Sequence, residues 1–211
     1  VNVTVLDPLN TSAFIDWNHS LKGYWPMESY NDTGVYDNST YENFGTFQNG
    51  MTSRDNIVSG KYGTGLEFDG SDDYLDVGNS GSLDLGTGDF TFMVWEKSHT
   101  TLYSKKAMIL TNNPASESWK GYGFGIINSP YLIVSQSTGN NITLQGTTDV
   151  TDNTWHHIAY VCRSGAYSIY VDGEEDASSG GIAVKNITNT QHTMIAYDGH
   201  CSSWCYFEGL L

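Results

Sequence analysis

The sequence predicts an all-β protein built as a sandwich of two antiparallel sheets. Apolar and polar residues alternate with a period of two in short stretches, as in Leu66-Glu67-Phe68. Turn-forming pairs such as Asp69-Gly70 separate these stretches. Glycine occurs 23 times and aromatic residues make up 13% of the chain, which suits many short strands joined by tight turns. No stretch has the period of an amphipathic helix.

The strands can be placed in order along the chain. They are expected at residues 21–27, 44–47, 66–68, 74–77, 89–97, 107–110, 121–127, 131–135, 142–144, 155–162, 166–172, 192–197 and 206–211. Residues 29–42 and 51–60 are expected to be loops. The strand at 89–97 has apolar side chains on both faces, Phe90, Phe92 and Val94 on one and Met93 and Trp95 on the other. This pattern predicts that the strand is covered on both sides.

Six motifs carry a family resemblance. They are Gly23–Glu28, Gly60-Lys61-Tyr62-Gly63, Phe68–Tyr74, Gly88–Phe92, Asn153–Tyr160 and Tyr167–Gly173. Together they resemble the laminin G-like (LamG) domains of the concanavalin A-like lectin/glucanase superfamily, over residues 21–210. The resemblance implies a jelly-roll sandwich. It says less about function, because one fold hosts many functions.

The resemblance also divides the chain. Residues 1–20 form an N-terminal extension, and residues 21–211 form a jelly-roll domain that lacks most of the family's final strand. The extension contains an extra strand that we expect to mediate assembly, through Val1, Val3, Val5 and Leu6. Three alternatives follow: this strand completes its own domain, it completes a neighbouring copy by donor-strand complementation and builds a filament, or the chain is part of a longer protein.

Charge excludes some partners. The chain has nine Lys and Arg against 24 Asp and Glu, a net charge of −15, so nucleic acid and anionic membranes are not expected partners. The sequence contains no run of 18 apolar residues, the length that a membrane-spanning helix needs. The first residues lack a basic segment and an apolar segment, as expected of a mature chain whose signal peptide has been removed.

Glycosylation sequons favour an extracellular glycoprotein. The seven are at Asn2, Asn10, Asn18, Asn31, Asn38, Asn141 and Asn186. An extracellular setting also permits disulfides, and the three cysteines are Cys162, Cys201 and Cys205. Any one pair of these could be bridged, and the sequence does not choose between the three pairings.

A structural Ca²⁺ is implied by the family resemblance. Related jelly rolls hold this ion with an acidic residue after the first strand, loop carbonyls and an Asp in the last strand. The matching positions here are Glu28 for the acid and Asn49 and Gly50 for the carbonyls. The Asp of the last strand has no counterpart, although oxygen ligands of these kinds suit Ca²⁺.

Catalysis is not expected. Related glucanases place a Glu-X-Asp-X-X-Glu motif on one strand, and Glu67, Asp69 and Asp72 resemble it. Here the third residue is Asp, and the Asp69-Gly70 turn should aim Asp72 away from Glu67. His156 and His157 point to opposite faces of a strand, which favours a structural role.

Two tryptophans in polar loops, Trp119 and Trp204, are candidates for stacking on a glycan. The leading hypothesis is a non-catalytic extracellular structural protein, a filament or surface subunit that assembles head to tail with copies of itself. The alternative is a Ca²⁺-assisted carbohydrate-binding or adhesion module.

Overall fold

The computed structural model describes residues 20–98, 107–112, 120–136, 141–180, 186–199 and 206–211. Within these residues there are 16 strands and one α-helix turn, α1 (Ser53–Asn56). The strands are β1 (Tyr30–Asn31), β2 (Gly34–Val35), β3 (Gly45–Phe47), β4 (Ile57–Ser59), β5 (Thr64–Asp69), β6 (Leu75–Gly78), β7 (Phe90–Glu96), β8 (Ala107–Thr111), β9 (Gly121–Ile127), β10 (Ser129–Ser135), β11 (Asn141–Gln145), β12 (His156–Arg163), β13 (Ala166–Val171), β14 (Glu174–Ser179), β15 (Thr193–Ile195) and β16 (Glu208–Leu210).

The strands form two layers. One layer is a nine-stranded sheet in the order β1-β2-β3-β6-β15-β8-β9-β10-β11. The other contains a four-stranded sheet, β14-β13-β12-β7, and a three-stranded sheet, β16-β5-β4. All registered pairs are antiparallel, and short turns connect hairpins such as β12–β13. The predicted two-sheet antiparallel sandwich is therefore confirmed.

Aromatic rings join the two layers in the core. Phe92 of β7 stacks on Phe124 of β9 with 5.1 Å between ring centroids, and Tyr160 of β12 lies 5.3 Å from Phe124. The Tyr160 hydroxyl donates a hydrogen bond of 2.7 Å to the carbonyl of Gly125. Burying these large rings supplies apolar contact area, and the hydrogen bond satisfies the one polar atom that Tyr160 brings into the core.

The final strand lies between two others. β16 pairs with β5, and Leu210 exchanges two backbone hydrogen bonds with Lys97, which directly follows β7. Leu211 exchanges two more with Leu66. The last residues of the chain therefore cover the edge of β5 and connect the three-stranded and four-stranded sheets through one bridge.

Four local predictions were wrong, wholly or in part. Residues 21–27 form no strand, and the expected loops at 29–42 and 51–60 contain β1, β2, β4 and α1. The outer face of β7 is only partly covered by the described residues, since Met93 is 62% exposed whereas Trp95 packs against Tyr62 and His157. The alternation of β7 was read correctly, with Phe92 turned to the core and Met93 away from it. Sequence alone did not reveal that β7 ends its sheet among the described strands.

Among the described residues, no helix has the length and apolar character that crossing a membrane requires.

Candidate functional site

Many of the side chains proposed from sequence lie outside the described residues. These are the assembly residues Val1, Val3, Val5 and Leu6, the tryptophans Trp119 and Trp204, the cysteines Cys201 and Cys205, and the sequon residues Asn2, Asn10 and Asn18. Their roles stay predictions. The four sequon residues that are described are all exposed: Asn31, Asn38, Asn141 and Asn186. Exposure makes them accessible for glycosylation, which itself stays a prediction.

The proposed calcium residues do not converge. Glu28 lies against Gly63, since a side chain on Gly63 would collide with the Glu28 carboxylate. Asn49 donates a hydrogen bond of 2.9 Å to the carbonyl of Asp72. Gly63 precedes β5 and Asp72 follows it, and a six-residue strand is roughly 17 Å long. Glu28 and Asn49 therefore cannot bind one cation together, because Ca²⁺ ligands lie about 2.3–2.6 Å from the ion.

The carboxylates that do converge lie in the turn between β5 and β6. Ligand oxygens of Asp69, Asp72 and Asp73 are all within 4.8 Å of one another. The Asp69 carboxylate accepts hydrogen bonds from the backbone N–H groups of Ser71, at 2.8 Å, Asp72 and Asp73. Burial acts to raise the pKa of Asp69, but these N–H groups stabilise its charged form and lower it. The turn is thus shaped by its own carboxylates, and these are the described groups that could hold a cation.

The pKa of Asp73 is shifted upward, opposite to that of Asp69. Its side chain is buried, and its Oδ2 accepts a hydrogen bond of 2.9 Å from the side chain of Asn56. Burial and the charge of Asp69 raise the pKa of Asp73. Two neighbouring carboxyl groups in one turn therefore have pKa values shifted in opposite directions.

An acidic cleft of about 390 Å³ opens beside this turn. Among the described residues, its lining contains five carboxyl groups and a single cation; these residues are Asp55, Glu67, Asp69, Asp73, Glu208 and Lys97. Glu67 and Asp69 lie two positions apart on β5, whereas Asp72 is not part of the lining. Asp72 lies in the turn, beyond the end of β5, and its direction relative to Glu67 stays a prediction.

Three tyrosines, Tyr74, Tyr197 and Tyr206, lie together beside β6 and β15, two central strands of the nine-stranded sheet; we call them the tyrosine cluster. Tyr197 stacks on Tyr206 with 4.5 Å between centroids, and Tyr74 lies 5.0 Å from Tyr197 and 6.3 Å from Tyr206. All three side chains are partly exposed. Burial, with smaller contributions from Tyr197, Tyr74 and Asp72, raises the pKa of Tyr206 to about 12. The cluster therefore presents aromatic surface beside the acidic turn.

The strands explain why these residues meet. Tyr74 directly precedes β6, Tyr197 follows β15, and Ile195 pairs with Leu75 in the antiparallel β6–β15 ladder. An antiparallel ladder brings the start of one strand beside the end of the other. Tyr206 precedes β16 and forms an isolated antiparallel bridge with Tyr197. Three segments distant in sequence thus deliver one ring each.

The Asp76 carboxylate, which bonds the imidazole of His192, lies next to Tyr74 of the tyrosine cluster. Asp76 lies two residues after Tyr74, so both point to the outer face of β6 while Leu75 is buried between the layers. The Asp76 carboxylate accepts a 2.8 Å hydrogen bond from Nδ1 of His192, whose side chain is 54% exposed. Burial has the largest effect in raising the pKa of Tyr74, and the charge of Asp76 has the second largest. Aromatic rings, an acceptor and a donor are therefore adjacent on one face.

His156 has a framework role, as the sequence predicted. One ring nitrogen lies 2.8 Å from Asp172 and the other lies 3.2 Å from Asp152. Burial acts to lower the pKa of His156, but the two carboxylates raise it on balance. Since both nitrogens are used, the ring joins the turn before β12 to the end of β13. The neighbouring His157 points to the other face and packs against Trp95.

Glu96 is a buried acid that sequence reasoning did not single out. It ends β7, has no exposed surface, and lies directly across the ladder from His156. Neither of its carboxyl oxygens has a hydrogen-bond partner among the described residues. Burial raises the pKa of Glu96 to about 8, although Ser98 and His156 act to lower it. Glu96 is therefore largely protonated at neutral pH.

The antiparallel two-layer sandwich defines the chain as a jelly-roll protein. It belongs to the Laminin_G_3 family of the concanavalin A-like lectin/glucanase superfamily, whose sequence profile matches residues 69–211. The expected family resemblance is confirmed. No curated protein sequence matches the chain.

Several solved structures share the fold. The binding domain of Paraclostridial mosquitocidal protein 1 is 13% identical with a TM-score of 0.64, over 79% of this chain and 42% of that one. The CBM40 domain of the Ruminococcus gnavus IT-sialidase, solved with α2,3-sialyllactose, is 16% identical with a TM-score of 0.57, over 70% of this chain and 85% of that one. A botulinum neurotoxin type C structure is 12% identical with a TM-score of 0.60, over 85% of this chain.

These likenesses establish the fold alone. The chain spans only 42% of the mosquitocidal and neurotoxin structures. The neurotoxin structure comes from a study that attributes cell entry to two ganglioside molecules, and the CBM40 structure contains a sialylated sugar.

Proposed function

We propose that this protein is a non-catalytic extracellular carbohydrate-binding module, and that its glycan stacks on the tyrosine cluster. The observation that carries the proposal is the convergence of three partly exposed tyrosine rings beside the Asp76–His192 pair. The extracellular placement rests on the density of sequons, four of which are exposed in the described residues.

The chemistry of the surface suits a sugar. One face of a sugar ring carries C–H groups, which pack well against the face of an aromatic ring. The hydroxyl groups around the ring need hydrogen-bond partners, and a few fixed polar groups at an aromatic surface provide orientation. Asp76 offers acceptor oxygens and His192 a ring nitrogen, on the same face as Tyr74. Two structures of similar fold support a sugar as the ligand. One was solved with sialyllactose, and the other belongs to a neurotoxin whose cell entry depends on gangliosides.

Binding can be measured on a glycan array and then by calorimetry with the best ligand. Tyr74→Ala should weaken binding at least tenfold, because it removes one stacking surface. Tyr62→Ala is the matched control, since Tyr62 is the most exposed large aromatic residue described, at 69%, and packs against Trp95 instead. Circular dichroism would verify that both variants fold. Absence of binding to every glycan, or equal loss in both variants, would contradict the proposal.

The proposal includes no catalysis. Three backbone N–H groups hold Asp69, the residue that would act beside Glu67 in a glucanase. The purified protein should release no reducing sugar from β-glucans, and Glu67→Gln should leave that result unchanged. Hydrolysis by the parent that Glu67→Gln abolishes would show that the protein is an enzyme.

Calcium binding stays a proposal with a revised location. Glu28 cannot share an ion with Asn49, so the turn of Asp69, Asp72 and Asp73 is the better fit to a cation among the described residues. If Ca²⁺ binds there, calorimetry should detect it in the parent protein and lose it in Asp72→Asn. Binding that needs Glu28 instead would restore the original set of ligands.

Self-assembly is the second candidate function, and one observation favours it. Lys97 directs both its backbone hydrogen bonds toward Leu210, away from β12. In an antiparallel ladder, backbone groups two residues apart point the same way, so those of Trp95 and Met93 also point away from β12. Among the described strands none pairs with this edge from Phe90 to Trp95. An apolar strand such as residues 1–6 could add there by β-augmentation.

Light scattering on the protein with and without residues 1–12 tests the assembly. Polymers that disappear on truncation would support strand exchange between copies, whereas a monomer indifferent to truncation would exclude it. Met93→Pro is a sharper probe, because it removes an N–H that points away from β12 and leaves that ladder intact. It should prevent polymers without unfolding the domain.

A further inference from the structure

We infer that the tyrosine cluster selects uncharged glycans and rejects sialylated ones, an inference that rests on the proposed carbohydrate-binding function. The similar CBM40 structure was solved with α2,3-sialyllactose, whose sialic acid carries a carboxylate. The fold is shared, so selectivity must come from the charges that each chain places at its own site.

The segments that build the tyrosine cluster contain no strong cation. Residues 62–96 and 186–211 include no Lys or Arg at all. The one described histidine beside the cluster, His192, already contacts the Asp76 carboxylate at 2.8 Å. An incoming carboxylate would therefore find no free guanidinium or ammonium group in these segments, although such groups are the usual partners of bound carboxylates.

Carboxylates surround the cluster instead. Asp76 is close enough to Tyr74, and Asp72 to Tyr206, for each charge to disfavour ionisation of the neighbouring phenol. Asp69 and Asp73 lie in the same turn as Asp72, and Glu208 follows Tyr206 by two residues. The net charge of the whole chain is −15, so the long-range field has the same sign as the local one.

Hydrogen-bond chemistry favours the same ligands. An ionised carboxylate only accepts hydrogen bonds, so Asp76 and Asp72 can pair with sugar hydroxyl groups but not with the carboxylate of sialic acid. Hydrogen bonds from hydroxyls to ionised carboxylates are stronger than neutral ones. The same groups therefore attract a neutral sugar and repel an anionic one, which is how specificity by repulsion operates.

The test uses matched pairs of oligosaccharides that differ only in a terminal sialic acid, such as lactose and α2,3-sialyllactose, on an array and by calorimetry, in buffer free of Ca²⁺ because an ion at Asp69, Asp72 and Asp73 would neutralise their charges. We expect each uncharged member to bind at least tenfold more tightly at low ionic strength. The ratio should shrink at 1 M salt, where the screening length falls to about 3 Å. Asp72→Asn combined with Asp76→Asn should reduce the ratio at low salt, whereas Glu174→Gln, on an exposed position of β14, should leave it unchanged.

The outcomes separate the two proposals. Equal or tighter binding of the sialylated members would overturn the selectivity while leaving carbohydrate binding intact. A ratio that the double variant does not change would also overturn it, because the carboxylates would then not be its cause. If neither member of any pair binds, the carbohydrate-binding function itself fails, and the selectivity fails with it.

Discussion

Tyr197 stacks on Tyr206 across an isolated antiparallel bridge, with 4.5 Å between ring centroids and 13° between ring planes. The bridge joins the segment after β15 to the segment before β16. The stacked pair thus holds together two of the three segments that form the tyrosine cluster.

The first prediction distinguishes the contribution of the Tyr206 ring to glycan affinity from that of its hydroxyl group. Tyr206→Phe should retain glycan affinity within about twofold, because the stacking surface remains. Tyr206→Ala should weaken it at least tenfold, since an aromatic pair contributes about 0.5–1.5 kcal/mol beyond its buried area and the sugar also loses a surface. Calorimetry measures both affinities. A Phe variant as weak as the Ala variant would show that the hydroxyl, not the ring, makes the contact.

The second prediction concerns Glu96 and pH. Its folded pKa is about 8, above the ordinary value of 4.5, so the native state binds the proton that the unfolded state releases between these values. The free energy of unfolding should therefore fall as pH rises from about 4.5 to about 8, by a few kcal/mol in all. Glu96→Gln should flatten this dependence and stabilise the protein above pH 8.

Urea unfolding at several pH values measures this effect. Glu174→Gln is the control, because Glu174 is an exposed carboxyl in β14 and its removal should leave the slope unchanged. His156, Asp152 and Asp172 also influence Glu96, so the parent curve contains their titration too. An unchanged slope in Glu96→Gln would mean that Glu96 is ionised in the folded protein.

The third prediction tests the bond between His156 and Asp172. Asp172→Asn should lower the pKa of His156, because the largest of the influences that raise it is removed. The stability from a raised histidine pKa is present below the unfolded value of 6.5 and is lost as pH rises through the folded value. The variant should therefore lose about 0.5–1 kcal/mol at pH 5 and less at pH 8.

Titration of the imidazole protons by NMR measures the pKa of His156 directly. Asp32→Asn is a matched control, because Asp32 is exposed and bonds Ser53 in another part of the molecule. A His156 pKa that stays where it was in Asp172→Asn would assign the shift to Asp152.

The fourth prediction concerns the cysteines. Cys162 is free and 1% exposed, and burial raises the pKa of its thiol. It should resist alkylation in the native protein and react only after unfolding, since the thiolate is the reactive form. Peptide mapping by mass spectrometry after native alkylation checks this. Recovery of Cys162 in a disulfide would contradict it, whereas a Cys201–Cys205 crosslink would agree with it.

The sequence determined the fold class because strands and turns are local features. The alternation in Leu66–Phe68, the alternation of inward and outward side chains in β7 and the turn at Asp69-Gly70 each depend on neighbouring residues, and all three agree with the structure. The framework role of His156 was predictable for the same reason, since its strand direction follows from sequence. Strands with little apolar pattern, such as β1 and β14, were missed because pairing rather than propensity forms them.

The tertiary structure alone decided the sites. Tyr74, Tyr197 and Tyr206 come from three segments, and only the β6–β15 ladder and the Tyr197–Tyr206 bridge bring their rings within 6.3 Å. The tertiary structure also separates Glu28 from Asn49. Glu28 contacts Gly63 before β5, and Asn49 bonds Asp72 after β5. The alternation of apolar and polar residues indicates which face of its own strand a side chain occupies. Which strands become neighbours depends on long-range pairing, and that pairing determines which side chains meet.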